Sequence, residues 1–162
     1  MNLKMAQELN MVEQSKDAKR FDGILKLVGP IARKPALAII TKAVMVGLAK
    51  LTIASRKAKR KETTQDLTKE WLRMFPRETC SIEKIEDETG YGLVHANCPL
   101  VGTGDVSACY KMMEYDRALM RKIGGELTVI ESRANPNIKG ACKITIRKLD
   151  DKRNDLIPAH LL

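Results

Sequence analysis

Apolar residues return at three- and four-residue steps from Leu3 to Val28 with no proline among them, which predicts one or two amphipathic helices stopped by Gly29-Pro30. Pro35 is placed to open a second helix, expected to run to about Lys61. It contains the most apolar window of the chain, Pro35 to Ala54, interrupted by Lys42 and followed by Lys50 within its last turns. A membrane-spanning helix needs about 20 nearly uncharged apolar residues, and a lysine near its middle costs roughly 2.5–3.5 kcal/mol, so the window reads as a buried helix of a soluble domain. Thr63-Thr64-Gln65-Asp66 has the form of an N-cap with an acid in the first turn of a third helix carrying Leu67, Trp71 and Leu72, which Met74-Phe75-Pro76 ends.

Past Pro76 the pattern shortens. Thr79 to Ile82 and Leu93 to Ala96 are β-type runs separated by an acidic turn and by Gly90 and Gly92, and together they predict a hairpin. Asp105 is a good N-cap, and Val106, Cys109, Met112, Met113, Asp116, Leu119, Met120 and Ile123 then recur at helical spacing until Gly124-Gly125. Leu127 to Ile130 and Cys142 to Arg147 alternate as strands, joined through Asn135-Pro136-Asn137 and Lys139-Gly140. The expected class is α+β: a helical N-terminal half (1–76) packed on a small antiparallel sheet of order ββαββ (77–148), followed by a tail (149–162), all in one domain over 1–162.

Composition narrows the function classes. With 44% hydrophobic and 30% charged residues among 162, a disordered or fibrous chain is excluded. Four cysteines are too few for a disulfide-stapled scaffold, and Met1 is not followed by a charged stub, an apolar run and a cleavage site, so a reducing cytoplasm is the expected location. The net charge of +9 is unevenly placed, because residues 1–61 carry 14 Lys/Arg against 4 Asp/Glu while the remainder is balanced. Six aromatic residues that do not interleave with the basic ones argue against RNA, and the balanced C-terminal portion argues against nucleic acid in general. Solvated helix faces are the favoured account of the basic excess. Peripheral membrane contact through the apolar helix and Arg56 to Lys61 is the less favoured one. The apolar helix 35–54 could also form a homo-oligomer interface instead of a core.

The candidate chemistry lies in the C-terminal half. Cys98, Cys109 and Cys142 fall at a strand end, in the first turns of a helix and at a strand start, where one fold could gather them; Cys80 reads as a small core hydrophobe. Asp116 is out of place on the apolar helix face it shares with Cys109, Met113 and Met120. Either it meets Arg117, Arg121 or Arg133, or its pKa is raised, which would suit acid–base work or the orientation of a polar substrate. Cys109, near the helix N-terminus, is the thiol that the local dipole would favour as thiolate. His95 and Cys98, three residues apart in a predicted strand, would face opposite ways. A bend at Asn97-Cys98-Pro99 could still gather a His/Cys/Cys/Cys zinc set, although the Cys-x-x-Cys knuckle is missing and no cofactor is otherwise expected. His160 sits in the tail and carries no expected role.

Residues 91–148 resemble the L-2-amino-thiazoline-4-carboxylic acid hydrolase-like family. The resemblance rests on Asn97-Cys98-Pro99-Leu100, on the helix from Ala108 to Asp116, on Gly125-Glu126-Leu127-Thr128, and on Gly140-Ala141-Cys142-Lys143-Ile144. It implies hydrolytic ring opening of a small cyclic amidine to a carbamoyl-cysteine, with Cys98, Cys109, Asp116 and Cys142 at the matching positions. In that reading a thiolate attacks the amidine carbon while Asp116 or His95 manages protons. The ending is also similar to that of the vinyl-reductase-like ligand-binding domains, which implies the alternative of a non-catalytic, sensor-like domain for a small molecule or a metal.

Overall fold

The computed structural model describes residues 19–76 and 78–162. The helix expected from Leu3 therefore lies partly outside the described residues. From 19 to 32 the chain is helical (α1), and it continues through Gly29-Pro30 instead of stopping there. Pro30 lacks an N–H but falls in the last turn, so little of the hydrogen-bond ladder is lost, and the Arg33 N–H still reaches the Gly29 carbonyl at 3.3 Å. Gly29 has a different task. A Cβ there would lie 2.3 Å from Pro99 Cγ, so its bare backbone lets α1 settle on the loop that contains Cys98.

A single 3-10 turn at Pro35–Leu37 leads into α2, Ala38–Arg56. The helix ends short of the expected Lys61 because Lys57 turns left-handed at φ 50°. Only Thr41, Met45 and Ala49, each one turn apart, are buried, while Ile39, Ile40, Val44 and Leu51 are exposed. The buried helix expected from this window is thus corrected to a helix packed along one stripe. Alanine, isoleucine and valine fill both its faces, so composition alone could not separate one-sided from two-sided burial. Helix α3, Thr64–Arg73, begins as expected, with the Thr63 hydroxyl accepting the Asp66 N–H at 3.1 Å.

Strands β1 (Cys80–Glu86) and β2 (Thr89–Val94) meet in a two-residue turn whose residues Asp87 and Glu88 both have left-handed φ, 45° and 55°, the geometry that matches strand twist in a tight hairpin. The turn is therefore acidic as expected, but Gly90 and Gly92 lie inside β2 and not in the turn, and β2 ends before His95. Packing gives the reason: a Cβ on Gly90 would come within 2.4 Å of Thr68 Cγ2, so the glycine lets α3 lie directly on the sheet.

The single helix expected over 105–123 is two helices, α4 (Val106–Met112) and α5 (Glu114–Ile123), which meet at Met113 with ψ near 0°. Apolar spacing continues across the junction, which is why the sequence reads as one. Asp105 caps α4 by accepting the Ala108 N–H at 2.8 Å, and Gly124 ends α5 at φ 96°. Strands β3 (Gly125–Glu131) and β4 (Cys142–Lys148) follow. The class is α+β, but the chain order is ββααββ, and the antiparallel sheet has the spatial order β1-β2-β4-β3.

Ile144 and Ile146 of β4 face the helices and form a core with Leu127, Leu67, Trp71, Leu119, Met120 and Ile123. A second cluster joins Val28, Ala32 and Met45 of α1 and α2 to Leu100, Ala108, Cys109 and Met112. Thr145 and Arg147, on the opposite sheet face, are buried too. The segment after β4 returns there, Asp155 accepting both terminal nitrogens of Arg147 at 2.6 and 2.7 Å. The expected tail is packed, and it ends with His160 stacked on Tyr110 at 3.6 Å between ring centroids.

Candidate functional site

Between the two apolar clusters lies a cavity of about 120 Å³. Phe21, Ile24 and Leu25 of α1 and Met45, Leu48 and Thr52 of α2 form one wall, and Met112 and Met113 at the α4–α5 junction form another. The broken helix matters here, because the junction sets Cys109 and Asp116 on separate helices that both reach the cavity. Cys98 arrives from the loop after β2 and Cys142 from the first position of β4, where it pairs with Val94. Strand pairing and the loop held under α1 thus gather three cysteines that are far apart in sequence.

Asp116 is buried, and its partner is none of the arginines considered from the sequence. The Trp71 indole N–H donates to its Oδ1 at 3.2 Å. Arg117, the nearest cation in sequence, is turned away: its Nη2 donates to Glu114 at 2.8 Å and to the Tyr110 carbonyl at 2.6 Å, and its guanidinium lies over the Tyr110 ring. Arg121 also pairs with Glu114. Burial therefore pushes the Asp116 carboxyl up to about 7, opposed only in part by the Trp71 hydrogen bond and the more distant Arg117 charge. Glu114, two residues earlier, goes the other way, because its two arginines outweigh the cost of burial and hold it below the ordinary range.

The thiols are held protonated. Burial pushes Cys109 up to about 12 against the small lowering from its hydrogen bond to Ser132, and it raises Cys98 and Cys142 as well. The expectation of a dipole-favoured thiolate at Cys109 is overturned: α4 is one short helix, and the desolvation of a thiol enclosed by apolar walls exceeds what its N-terminus supplies. Cys142 adds to the rise at Cys98, and both Cys142 and Cys98 add to that at Cys109. Cys80 lies in the core, 5% exposed, as a small hydrophobe. All four are free.

His95 does not line the cavity. It stands past the end of β2 with Nε2 3.4 Å from Ser81 Oγ, so the zinc set that needed it does not assemble there. Among the described residues no three His, Cys, Asp or Glu side chains are grouped to hold a metal ion.

One cavity residue, Arg133, and one core residue behind the cavity, Trp71, carry more weight than the sequence assigned them. Arg133 reaches the wall from the loop before β4. That loop is tied down by the Gly102 and Gly104 N–H groups, which donate to the Arg133 and Ala134 carbonyls at 2.8 Å each, and by the Arg133 N–H donating to Cys142 Sγ at 3.3 Å. The sequence places Trp71 on the third helix, and a buried indole N–H that needs an acceptor is the available signal for its pairing with an acid. Tyr115 completes the wall, its hydroxyl 2.9 Å from Thr52 Oγ1. No family model matches the chain, and no curated protein or solved structure matches it either.

Proposed function

We propose that this chain binds a small, single-ring ligand carrying a cationic group such as an amidinium, with Asp116 as its counter-charge and Arg133 available to an acidic substituent. The observation that carries the reading is Asp116: a buried carboxyl that faces a cavity and that, among the described residues, no cation bonds. A structural acid at such depth ordinarily has its charge met from within, as Glu114 does two residues away. A ligand cation supplies what the chain does not. The size agrees, since a cavity near 120 Å³ is of the order that accepts one ring, and the apolar walls with few convergent polar groups are those of a small-molecule site. Thiols held neutral suit a soft, polarisable lining better than a set of nucleophiles.

A second reading, ring-opening hydrolysis of a cyclic amidine, is favoured by one observation. Asp116 lines the cavity, and a carboxyl that burial pushes up to about 7 is matched to taking a proton from an attacking water and returning it to the departing ring atom. In that reading Asp116 acts on water and the cysteines line the pocket.

The test is titration calorimetry with 2-amino-thiazoline-4-carboxylate in two buffers of different ionisation enthalpy. Binding of a cation against Asp116 is expected to release a proton near pH 6.5 and to weaken at least about tenfold in Asp116→Asn. A chromatographic assay of the same mixtures detects turnover and separates the two readings. Absence of binding heat, together with Cys98 and Cys142 alkylating at one rate with and without this compound, sinks both.

A further inference from the structure

The outward face of α2 is used by neither the fold nor the cavity. Ile40, Val44, Gly47 and Leu51 succeed one another at the i, i+4, i+7, i+11 spacing of a single helical stripe, and Ile39 beside it is 83% exposed. On α1, which walls the same cavity, Leu27 and Ile31 are one turn apart and also exposed. Charge decides what this surface fits. From Gly23 to Lys61 the chain has ten Lys/Arg and not one Asp or Glu. A second copy would bring the same sign to the same face and be repelled, and a nucleic acid would leave the apolar stripe without a partner. An anionic bilayer satisfies both features, because acyl chains accept the stripe while each nearby lysine or arginine gains roughly 1 kcal/mol from the surface potential.

We propose that α2 forms a peripheral docking surface for anionic lipid membranes, lying in the interface plane with the exposed Lys57 and Lys59 at the headgroups. By length and composition the helical stretch Pro35–Arg56, the 3-10 turn and α2 together, could cross a bilayer. It is held in plane by the domain itself: Thr41, Met45 and Ala49 are buried against it, and Thr52 Oγ1 is hydrogen-bonded to the Tyr115 hydroxyl. A spanning orientation would break that packing.

The experiment is co-sedimentation of the full chain with phosphatidylcholine vesicles, with and without phosphatidylserine, at low and raised salt. Binding is expected on the phosphatidylserine vesicles, at least about tenfold weaker on phosphatidylcholine alone, and released by salt. Val44→Glu with Leu51→Glu, both at exposed positions, and separately Lys57→Glu with Lys59→Glu, are each expected to weaken binding by about tenfold or more while leaving the thermal melt in place. Failure to sediment, equal affinity for both vesicles, or binding that only detergent releases overturns the proposal. So does a dimer in light scattering that the Val44→Glu and Leu51→Glu pair dissolves, since a second copy would then be the occupant.

Discussion

The two ends of the sheet treat buried charge in opposite ways. At the end where β4 finishes, the buried charge is met inside the chain: Arg147 holds Asp155 with two hydrogen bonds, Asp151 lies 3.9 Å from its Nε, and Arg153 bonds Asp151 in turn. Their arginine partners hold the carboxyls of Asp151 and Asp155 well below the ordinary range. At the end where β4 begins, Asp116 has only an indole, and its carboxyl is pushed up to about 7. Depth does not explain the contrast, since Arg147 and Asp116 are 7% and 6% exposed. Partners do. Glu114 shows that helix α5 had arginines to offer and that they are committed to another acid. What distinguishes Asp116 is the cavity in front of it, and the proposed ligand reading rests on that pairing of a cation-free buried carboxyl with a cavity.

The largest expected effect breaks the paired end. Arg147→Ala removes two charge-assisted hydrogen bonds and the one to Thr89, and is expected to lower the unfolding free energy by about 3 kcal/mol in urea titrations. A loss below about 1 kcal/mol would mean that the segment after β4 does not hold the sheet. The opposite end is expected to behave with reversed sign. A carboxyl near 3.8 in the unfolded chain and about 7 in the folded one makes the folded state bind the extra proton, so stability is present at low pH and falls as pH rises from about 4 to about 7. Asp116→Asn abolishes that fall. Measured as the difference between wild type and variant, the wild type is expected to lose on the order of 2 kcal/mol between pH 5 and pH 8. The difference is the right quantity because His160, whose pKa burial lowers, titrates in the opposite sense in both proteins. A flat difference would show that Asp116 is ionised throughout.

Local signals read from the sequence were the ones that local chemistry controls. Thr63, Asp105 and Gly124 cap or end their helices as expected because each acts on backbone within four residues. The misplaced boundaries came from contacts across the fold. Gly90 and Gly92 read as turn residues until Thr68 is seen to require the first of them, and α4 and α5 read as one helix because periodicity is blind to a single residue at ψ near 0°. In the candidate site, the meeting of Cys98, Cys109 and Cys142 was legible from their places at element ends. The ionisation of Cys109 was not, since desolvation depends on walls built from α1 and α2 that no window around Cys109 contains. The same holds for α2, whose apolar window gave no sign that only one face would be buried.

The smallest expected effect sharpens the comparison from within α5. Arg117 acts on Asp116 at a distance while Glu114 neutralises it. In Glu114→Gln that neutralisation is lost, the guanidinium presents a fuller positive charge to Asp116, and the ionised carboxylate gains. The Asp116 midpoint is then expected to fall below about 7, by less than about one pH unit given the intervening distance and the exposure of Arg121. The measurement is the pH at which stability stops falling in Glu114→Gln, read against the Glu114→Gln/Asp116→Asn double variant so that the general cost of the lost ion pairs cancels. A midpoint that moves down ties the protonation of the cavity acid to where its neighbour's arginine is held. A midpoint that stays would leave burial and the Trp71 hydrogen bond as its whole cause, and would make Trp71 the residue through which the site is tuned.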